Sequence, residues 1–570
     1  MLECGTMYTG ADYFADCLLE KGIKKVFVYP GGTIAPLFNA CLSRGIEIYC
    51  LNSEQGSGYA ALASAKISKK PSVLLVTSGP GVTNALTPLA DCFYDSIPLI
   101  LVTGQIGTPD LKKRKGVRQR GFQEVPTVSV VRDICKEAAC IDSKDKILNI
   151  HKLINICDQG RKGPVVIDFP MDMQREECSI KPSAFSNNEI KQNKEFNFEE
   201  IFKKLNQSNK RLVLLGNGAH SIGQKKLTSF IEKIDAEVVT SFPGLGSFDC
   251  NSSRNYGYIG HTGNKSANTI LHNCDFLFVL GSRLDIRQTG TETSDFAKNA
   301  YKVWVDIDKN ELDNPRVEIN HSLNLDVSEF IDIFLDNFVP DLEPQDIEWL
   351  NEADSIRLEG VEDKHVKSKL GQLSPKDVLK IVDNYVGSQT VNVVTGVGNH
   401  QHWAGRHISY GPTHKKIFTS SGHGTMGYDL PAAIGCCIED SKSKTLCIVG
   451  DGSLLMNIQE LGYVKNNNLN LKILVMNNSR LGIVSQFQMI TWGTDPTTGN
   501  FSSNNFSEIA KGFGIKSQKI ETLKELESSL DDFWKNDGPY LLDVSIDKKA
   551  DLTPMLLGGQ KMDEMWDGGY

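Results

Sequence analysis

The stretch GDGSLLMNIQELGYVKNNNLNLKILVMNN, residues 450–478, decides the fold. The run before it, TLCIV (445–449), reads as a short buried strand that ends in the tight turn Gly450-Asp451-Gly452. Leu454, Ile458 and Leu461 then recur at helical spacing, with Leu455 and Val464 beside that stripe. Asn466–Asn468 end the helix, as asparagine commonly does in turns. LKILVM (471–476) is the next strand, and Asn477-Asn478 sit just beyond it. This is one β-α-β unit of a parallel sheet. Ligands of such sheets sit outside the carboxyl ends of the strands. That rule selects Asp451 and Asn478 for a common site and assigns Asn466–Asn468 to the opposite edge.

A hard cation suits that pair. Mg²⁺ takes oxygen ligands in an octahedron and shares them with substrate phosphates. Asp451, the amide oxygen of Asn478 and a loop carbonyl, that of Arg480, leave room for phosphate oxygens and water. Gly450 and Gly452 let a diphosphate approach the backbone, and the helix N-terminus favours its charge. A plain surface turn is the competing reading of Gly-Asp-Gly alone. The Asn-Asn pair after the next strand argues against it.

The same pattern extends over the chain. KKVFVYPGG (24–32), SVLLVTSGPG (72–81), SIPLILVTGQ (96–105) and GPVVIDFP (163–170) are near-continuous Val, Ile and Leu runs ending in turns. A parallel sheet covered on both faces requires such strands. RLVLLGNGAH (211–220), DFLFVLGSRLD (275–285) and YKVWVDID (301–308) repeat the theme, and TVNVVTGVGNHQHW (390–403) opens a third round. Polar stretches at 181–200 and 340–369 separate the three. The expected architecture is α/β, three consecutive doubly wound parallel-sheet domains, at 1–180, 195–340 and 365–550, with a glycine-rich tail at 551–570.

Composition narrows the function classes. The 570 residues are 40% hydrophobic and carry a net charge of −9, with no broad basic face, so nucleic acid is not an expected partner. No apolar run is long enough for a membrane span and the first residues do not read as a signal peptide. The 14 cysteines form no C-x-x-C pair and read as reduced thiols, so a cytoplasmic protein is expected.

Read together, Gly450-Asp451-Gly452 and Asn477-Asn478 resemble the signature of thiamine-diphosphate enzymes. EQGSGYAALASA (54–65), TSGPGVTNALTPLADCFYDSIPLILVTGQ (77–105), GFQE (121–124), GVGNHQHWA (396–404) and SSGHGTMGYDLPAAIG (420–435) resemble acetolactate synthase catalytic subunits. PGLGSFD (243–249), GSRLDIRQTG (281–290) and VDIDKNEL (305–312) resemble their central domain. The resemblance implies a pyrimidine-binding domain, a central FAD-type domain and a diphosphate-binding domain. It implies that Glu54 sits beside the cofactor's aminopyrimidine and promotes removal of the thiazolium C2 proton, that Met426 holds the two rings bent, and that Gln123 faces the reacting centre. It assigns cofactor contacts to Tyr29, Pro30, Gly31, Thr77, Asn84, Val397, Gly398, Asn399, His400, Gly424, Gly450, Gly452, Ser453, Leu481, Gly482 and Ile483. The ion would be held by Asp451, Asn478 and Arg480.

For structural FAD the resemblance offers Gly216, Gly218, Gly281, Arg283, Asp285, Arg287, Asp306 and Asp326. Two departures stand against the family pattern. GHTGNKSAN (260–268) replaces a Met-His-Gly stretch, and Phe487 replaces a tryptophan that sorts the acceptor. The stretch after Phe487 resembles synthase-like carboligases of surface-polysaccharide loci. The implied reaction is decarboxylation of a 2-oxo acid, pyruvate, and transfer of the two-carbon unit to a second carbonyl. A second pyruvate or a keto-sugar nucleotide could accept it. A simple decarboxylase is the nearest rival, and no His-His pair is present to support it. A regulatory nucleotide-binding protein is the non-enzyme alternative. The implied assembly is a homodimer or homotetramer with the active site between subunits.

Overall fold

The computed structural model describes residues 7–113, 116–185, 197–363, 373–495 and 504–569. It contains three six-stranded sheets, and every strand pair in them is parallel. The first is built from β1 (Lys25–Val28), β2 (Glu47–Cys50), β3 (Ser72–Val76), β4 (Leu99–Gln105), β5 (Glu137–Cys140) and β6 (Val165–Pro170), in the order 2-1-3-4-6-5. The second uses β7 (Arg211–Leu215), β8 (Glu237–Thr240), β9 (Asn255–Tyr258), β10 (Phe276–Leu280), β11 (Tyr301–Asp306) and β12 (His321–Asn324), in the order 12-11-10-7-8-9. The third uses β13 (Val391–Thr395), β14 (Lys415–Phe418), β15 (Lys444–Gly450), β16 (Leu471–Asn477), β17 (Lys516–Ile520) and β18 (Tyr540–Ser545), in the order 14-13-15-16-18-17.

Counted from its own first strand, the third sheet repeats the order of the first. The central sheet, counted likewise, runs 3-2-1-4-5-6 from its β9 edge, the order of dinucleotide-binding sheets. Each order reverses next to its first strand: between β1 and β3, between β7 and β10, and between β13 and β15. The loops leaving those strands diverge to opposite faces and open a crevice. Both halves of the opening segment lie on adjacent strands, since Gly450 pairs with Met476 across β15 and β16.

One correction concerns the helix inside that segment. The apolar stripe predicts a continuous helix from Leu454 to Val464. The chain instead forms two short helices, Asp451–Met456 and Glu460–Asn466. Asn457 breaks them: its side-chain amide donates to the Gly427 carbonyl at 2.7 Å, and its backbone leaves the helical region. Asn468 adopts φ 45°, the turn conformation expected for this cluster.

The first and third domains join through two helices, Glu54–Ser68 and Asp429–Glu439, rich in small residues. The contact is backbone-close. A Cβ on Gly435 would stand 2.2 Å from the Ala60 carbonyl oxygen. Gly435→Ala is therefore expected to force the helices apart and cost about 1–3 kcal/mol. Gly462→Ala, where the nearest atom is 3.6 Å away, is the control and should not destabilise. Parallel denaturant unfolding of the two variants checks this.

Candidate active site

The carboxyl edge of the third sheet gathers one set of the expected residues. Asp451 begins the helix after β15, and Asn478 follows β16. Both are buried, at 4% and 5% exposure. Asp451 Oδ1 accepts from the Gly452 N–H at 2.8 Å, and its Oδ2 accepts from the Arg480 N–H at 3.3 Å. Burial, opposed by these hydrogen bonds, pushes the carboxyl up to about 6. The Arg480 side chain turns away, to the Lys548 carbonyl and Asp551, so only its backbone faces Asp451.

The loop after β13 meets the same place. Gly398, at φ 149°, precedes the helix Asn399–His407. The His400 ring lies in a slot between two glycines: a Cβ on Gly398 or Gly450 would come within 2.8 or 2.7 Å of its Nδ1. Its Nε2 pairs with Asp429 Oδ1 at 2.9 Å. Gly482 fits against Asn399 and Asn478, whose Nδ2 atoms would lie 2.7 and 3.0 Å from an added Cβ. Asn399 Oδ1 is buried without a hydrogen-bond partner, a polar atom left for a ligand. Leu481 and Ile483 flank Gly482 and are half-buried, as is Val397 beside Gly398. Ser453 is spent differently from expectation. Its hydroxyl donates to Asp429 and accepts the Gly427 N–H, so only its backbone remains for a cofactor. Gly424 and Met426 lie half-buried on the loop before the Asp429–Glu439 helix.

The carboxyl edge of the first sheet gathers the other set. Tyr29, Pro30 and Gly31 follow β1, and a Cβ on Gly31 would strike Thr77 at 2.3 Å. Gln123, at φ 60°, packs on Gly79 at the start of the helix Pro80–Tyr94. Glu54 opens the helix after β2, is 7% exposed, and accepts from Asn84 Nδ2 at 3.1 Å. Asn84 thus holds Glu54. Among the described residues, no hydrogen bond or ion pair joins Glu54 or Gln123 to Asp451 or Asn478 within the chain.

A residue missed in the sequence lies beneath Glu54. Glu460, fully buried, accepts from the Asn52 N–H at 3.1 Å and the Ser53 hydroxyl at 3.1 Å, clamping the turn that launches the Glu54 helix. Burial pushes its carboxyl from 4.5 up to about 7. The folded state therefore holds a proton that the unfolded state releases earlier. Stability from this group is complete below about pH 4.5 and is lost as pH rises towards 7. Relative to the wild type, Glu460→Gln should be more favourable at pH 7.5 than at pH 5, measured by unfolding at both. No signal short of the fold marks Glu460, since a lone glutamate after a glutamine reads as a solvated face.

The central sheet carries a cavity of about 730 Å³ at its order reversal, within the range of cofactor sites. Gly218, Gly281, Arg283, Asp285, Arg287, Asp306 and Asp326 line it. Gly216 does not; it lets the turn after β7 press against the turn after β10, where its Cβ would stand 2.1 Å from the Gly281 carbonyl. Asp326 caps the helix Val327–Asn337 through the Ser328 N–H, and Asp285 caps the Arg287 N–H. Burial pushes Asp306 up to about 6. Thr262, from the divergent 260–268 stretch, hydrogen-bonds His402 Nδ1 at 2.9 Å, and Arg287 holds the Nε2 of the same ring at 3.1 Å. Phe487 and Trp492 stand exposed on the helix Gly482–Trp492, ring to ring at 5.7 Å. The stretch 496–503 that follows lies outside the described residues.

No helix among the described residues is long and apolar enough to cross a membrane. Residues 8–130 match the model of the thiamine pyrophosphate enzyme N-terminal TPP binding domain, 198–332 the central domain, and 396–544 the C-terminal TPP binding domain. The chain is 32% identical to the acetolactate synthase isozyme 2 large subunit of Escherichia coli (strain K12), over 98% of this chain and 99% of that one. It is 31% identical to the mitochondrial acetolactate synthase catalytic subunit of Saccharomyces cerevisiae, over 98% of this chain and 83% of that one. It is 30% identical to the chloroplastic acetolactate synthase of Arabidopsis thaliana, over 96% and 83%. Three parallel sheets in series, matched domain by domain and over nearly the whole length, place this chain in the acetolactate synthase family of thiamine-pyrophosphate enzymes.

Proposed function

We propose that this chain is a Mg²⁺- and thiamine-diphosphate-dependent carboligase that decarboxylates pyruvate and joins the two-carbon unit to a second pyruvate. The observation that carries the reading is the convergence of Asp451, Asn478, Asn399, His400 and Gly482 at the order reversal of the third sheet. Asp451, Asn478 and the Arg480 carbonyl hold the ion. Gly398 and Gly450 make room for the His400 ring, Gly452 lets a diphosphate approach the backbone, and the unpartnered Asn399 Oδ1 is free to orient a ligand group. When bound, thiamine diphosphate supplies the electron sink for loss of CO₂. Glu54, anchored by Asn84 in a buried position, exchanges a proton with the cofactor's pyrimidine ring.

Two copies of the chain complete the site, the first sheet of one facing the third sheet of the other. Phe122, Met456, Phe487 and Trp492, exposed beside the two sets, supply apolar surface for that pairing. The central cavity takes FAD as a structural group. Its glycine turns offer close backbone approach to phosphates, and Arg283 and Arg287 offer charge. Phe487, in place of a tryptophan, forms the acceptor wall together with Trp492.

Incubation with ¹³C-labelled pyruvate, alone and with a keto-sugar nucleotide, tests the reading by product mass. A labelled five-carbon acetolactate from pyruvate alone is expected. A branched sugar formed in preference would transfer the acceptor role to the sugar. Labelled acetaldehyde as the sole product would make the chain a decarboxylase.

A further inference from the structure

The last described stretch, 551–569, is a strap over two domains. Arg406, from the third domain, donates to the carbonyls of Thr553 and Pro554 at 3.1 and 2.6 Å. Leu556 donates its N–H to the His261 carbonyl at 2.8 Å, and Leu556 and Met562 enter the core of the central domain. Where the strap leaves that core, Asp563 meets His272, the last residue of the helix Lys265–His272, and Asp295, the last of the turn Thr293–Asp295.

The three side chains stand in an unusual relation. His272 Nδ1 is 3.1 Å from Asp295 Oδ2, and His272 Nε2 is 3.7 Å from Asp563 Oδ1. His272 and Asp295 are only 7% and 9% exposed. Yet His272 Nδ1, Asp295 Oδ2 and Asp563 Oδ1 are all buried atoms without a hydrogen-bond partner. The 3.1 Å contact lacks hydrogen-bond geometry, so proximity there is not a hydrogen bond. Three orphaned polar atoms in one place are costly unless something satisfies them together. The other oxygen of Asp295 is already taken, by Lys298 Nζ at 3.3 Å.

A divalent cation would draw one ligand atom from each of the three residues. Two ligand atoms each about 2.1 Å from a tetrahedral ion lie about 3.4 Å apart, so the 3.1 Å spacing of His272 Nδ1 and Asp295 Oδ2 needs only a small opening to admit one. One ligand atom from each of the three residues falls within 4.8 Å of the other two, a spread that small side-chain movements close to a coordination shell. Imidazole with two carboxylates suits a borderline ion of the zinc type more than Mg²⁺. A second triad, Asp249, Cys250 and His414, has the same spread but contributes only one buried unpartnered atom, His414 Nε2. We propose that His272, Asp295 and Asp563 form a structural site for a divalent cation of the zinc type, which clasps the C-terminal strap to the central domain.

The test uses the full chain, stripped with chelator and then saturated with thiamine diphosphate and Mg²⁺ so that the Asp451 site is occupied. It is dialysed against Zn²⁺ alone and the retained zinc is counted. The wild type is expected to keep one zinc per chain more than His272→Asn or Asp563→Asn. Hydrogen exchange in the strap should slow on zinc addition in the wild type and not in either variant. Equal zinc in the wild type and Asp563→Asn would overturn the proposal. Asp563 is half-exposed on the strap, so that variant keeps the test decisive if His272→Asn folds poorly.

Discussion

Glu54→Gln is expected to keep thiamine diphosphate bound and to lose turnover by about 10²–10⁴-fold, the usual worth of a positioned proton-transfer group. The substitution is nearly isosteric. The glutamine carbonyl can still accept from Asn84 Nδ2, so the bond that anchors the side chain survives. The Ser53 cap, which accepts the Gly56 N–H at 2.9 Å, and the Glu460 clamp are untouched, so the helix start keeps its geometry. What disappears is the capacity to give and take a proton at one buried oxygen. Turnover equal to the wild type, with the cofactor bound, would remove Glu54 from the mechanism.

The second large effect is on binding. Asp451→Ala removes the one carboxylate among the proposed ion ligands. Changes to groups that merely support a metal ligand already cost about 10–100-fold in affinity. Loss of the ligand itself should exceed that, for Mg²⁺ and for thiamine diphosphate together, because the diphosphate shares the ion. The variant also leaves the Gly452 and Arg480 N–H groups without their acceptor. Circular dichroism should therefore accompany the titrations. Normal cofactor affinity in a folded Asp451→Ala protein would sink the ion assignment.

The residues explain how far the sequence could be read. Inner strands such as VLLV and LILVT are covered on both faces, and near-continuous aliphatic runs reveal them. Edge strands β5 (EAAC) and β17 (KSQKI) pair on one side and face solvent, so no such run marks them. The split after Met456 was invisible because Asn457 makes its decisive bond to Gly427, thirty residues away in sequence. The Asp451–Asn478 pairing was legible because a β-α-β unit fixes which loop ends share an edge. The use of Ser453 by Asp429 and of Asn84 by Glu54 depends on side-chain partners that only the fold brings together. Gly216 shows the same limit: its close approach to the Gly281 backbone, in the turn after the neighbouring strand, depends on a strand pairing that the sequence does not show.

The central claim is that the first and third domains together form a thiamine-diphosphate site that works on pyruvate. Release of CO₂ from carboxyl-labelled pyruvate, with and without thiamine diphosphate and Mg²⁺, tests it most directly. The expected result is release that requires both additions and collapses in Glu54→Gln. Absence of release with both present, or release indifferent to either, would contradict the account.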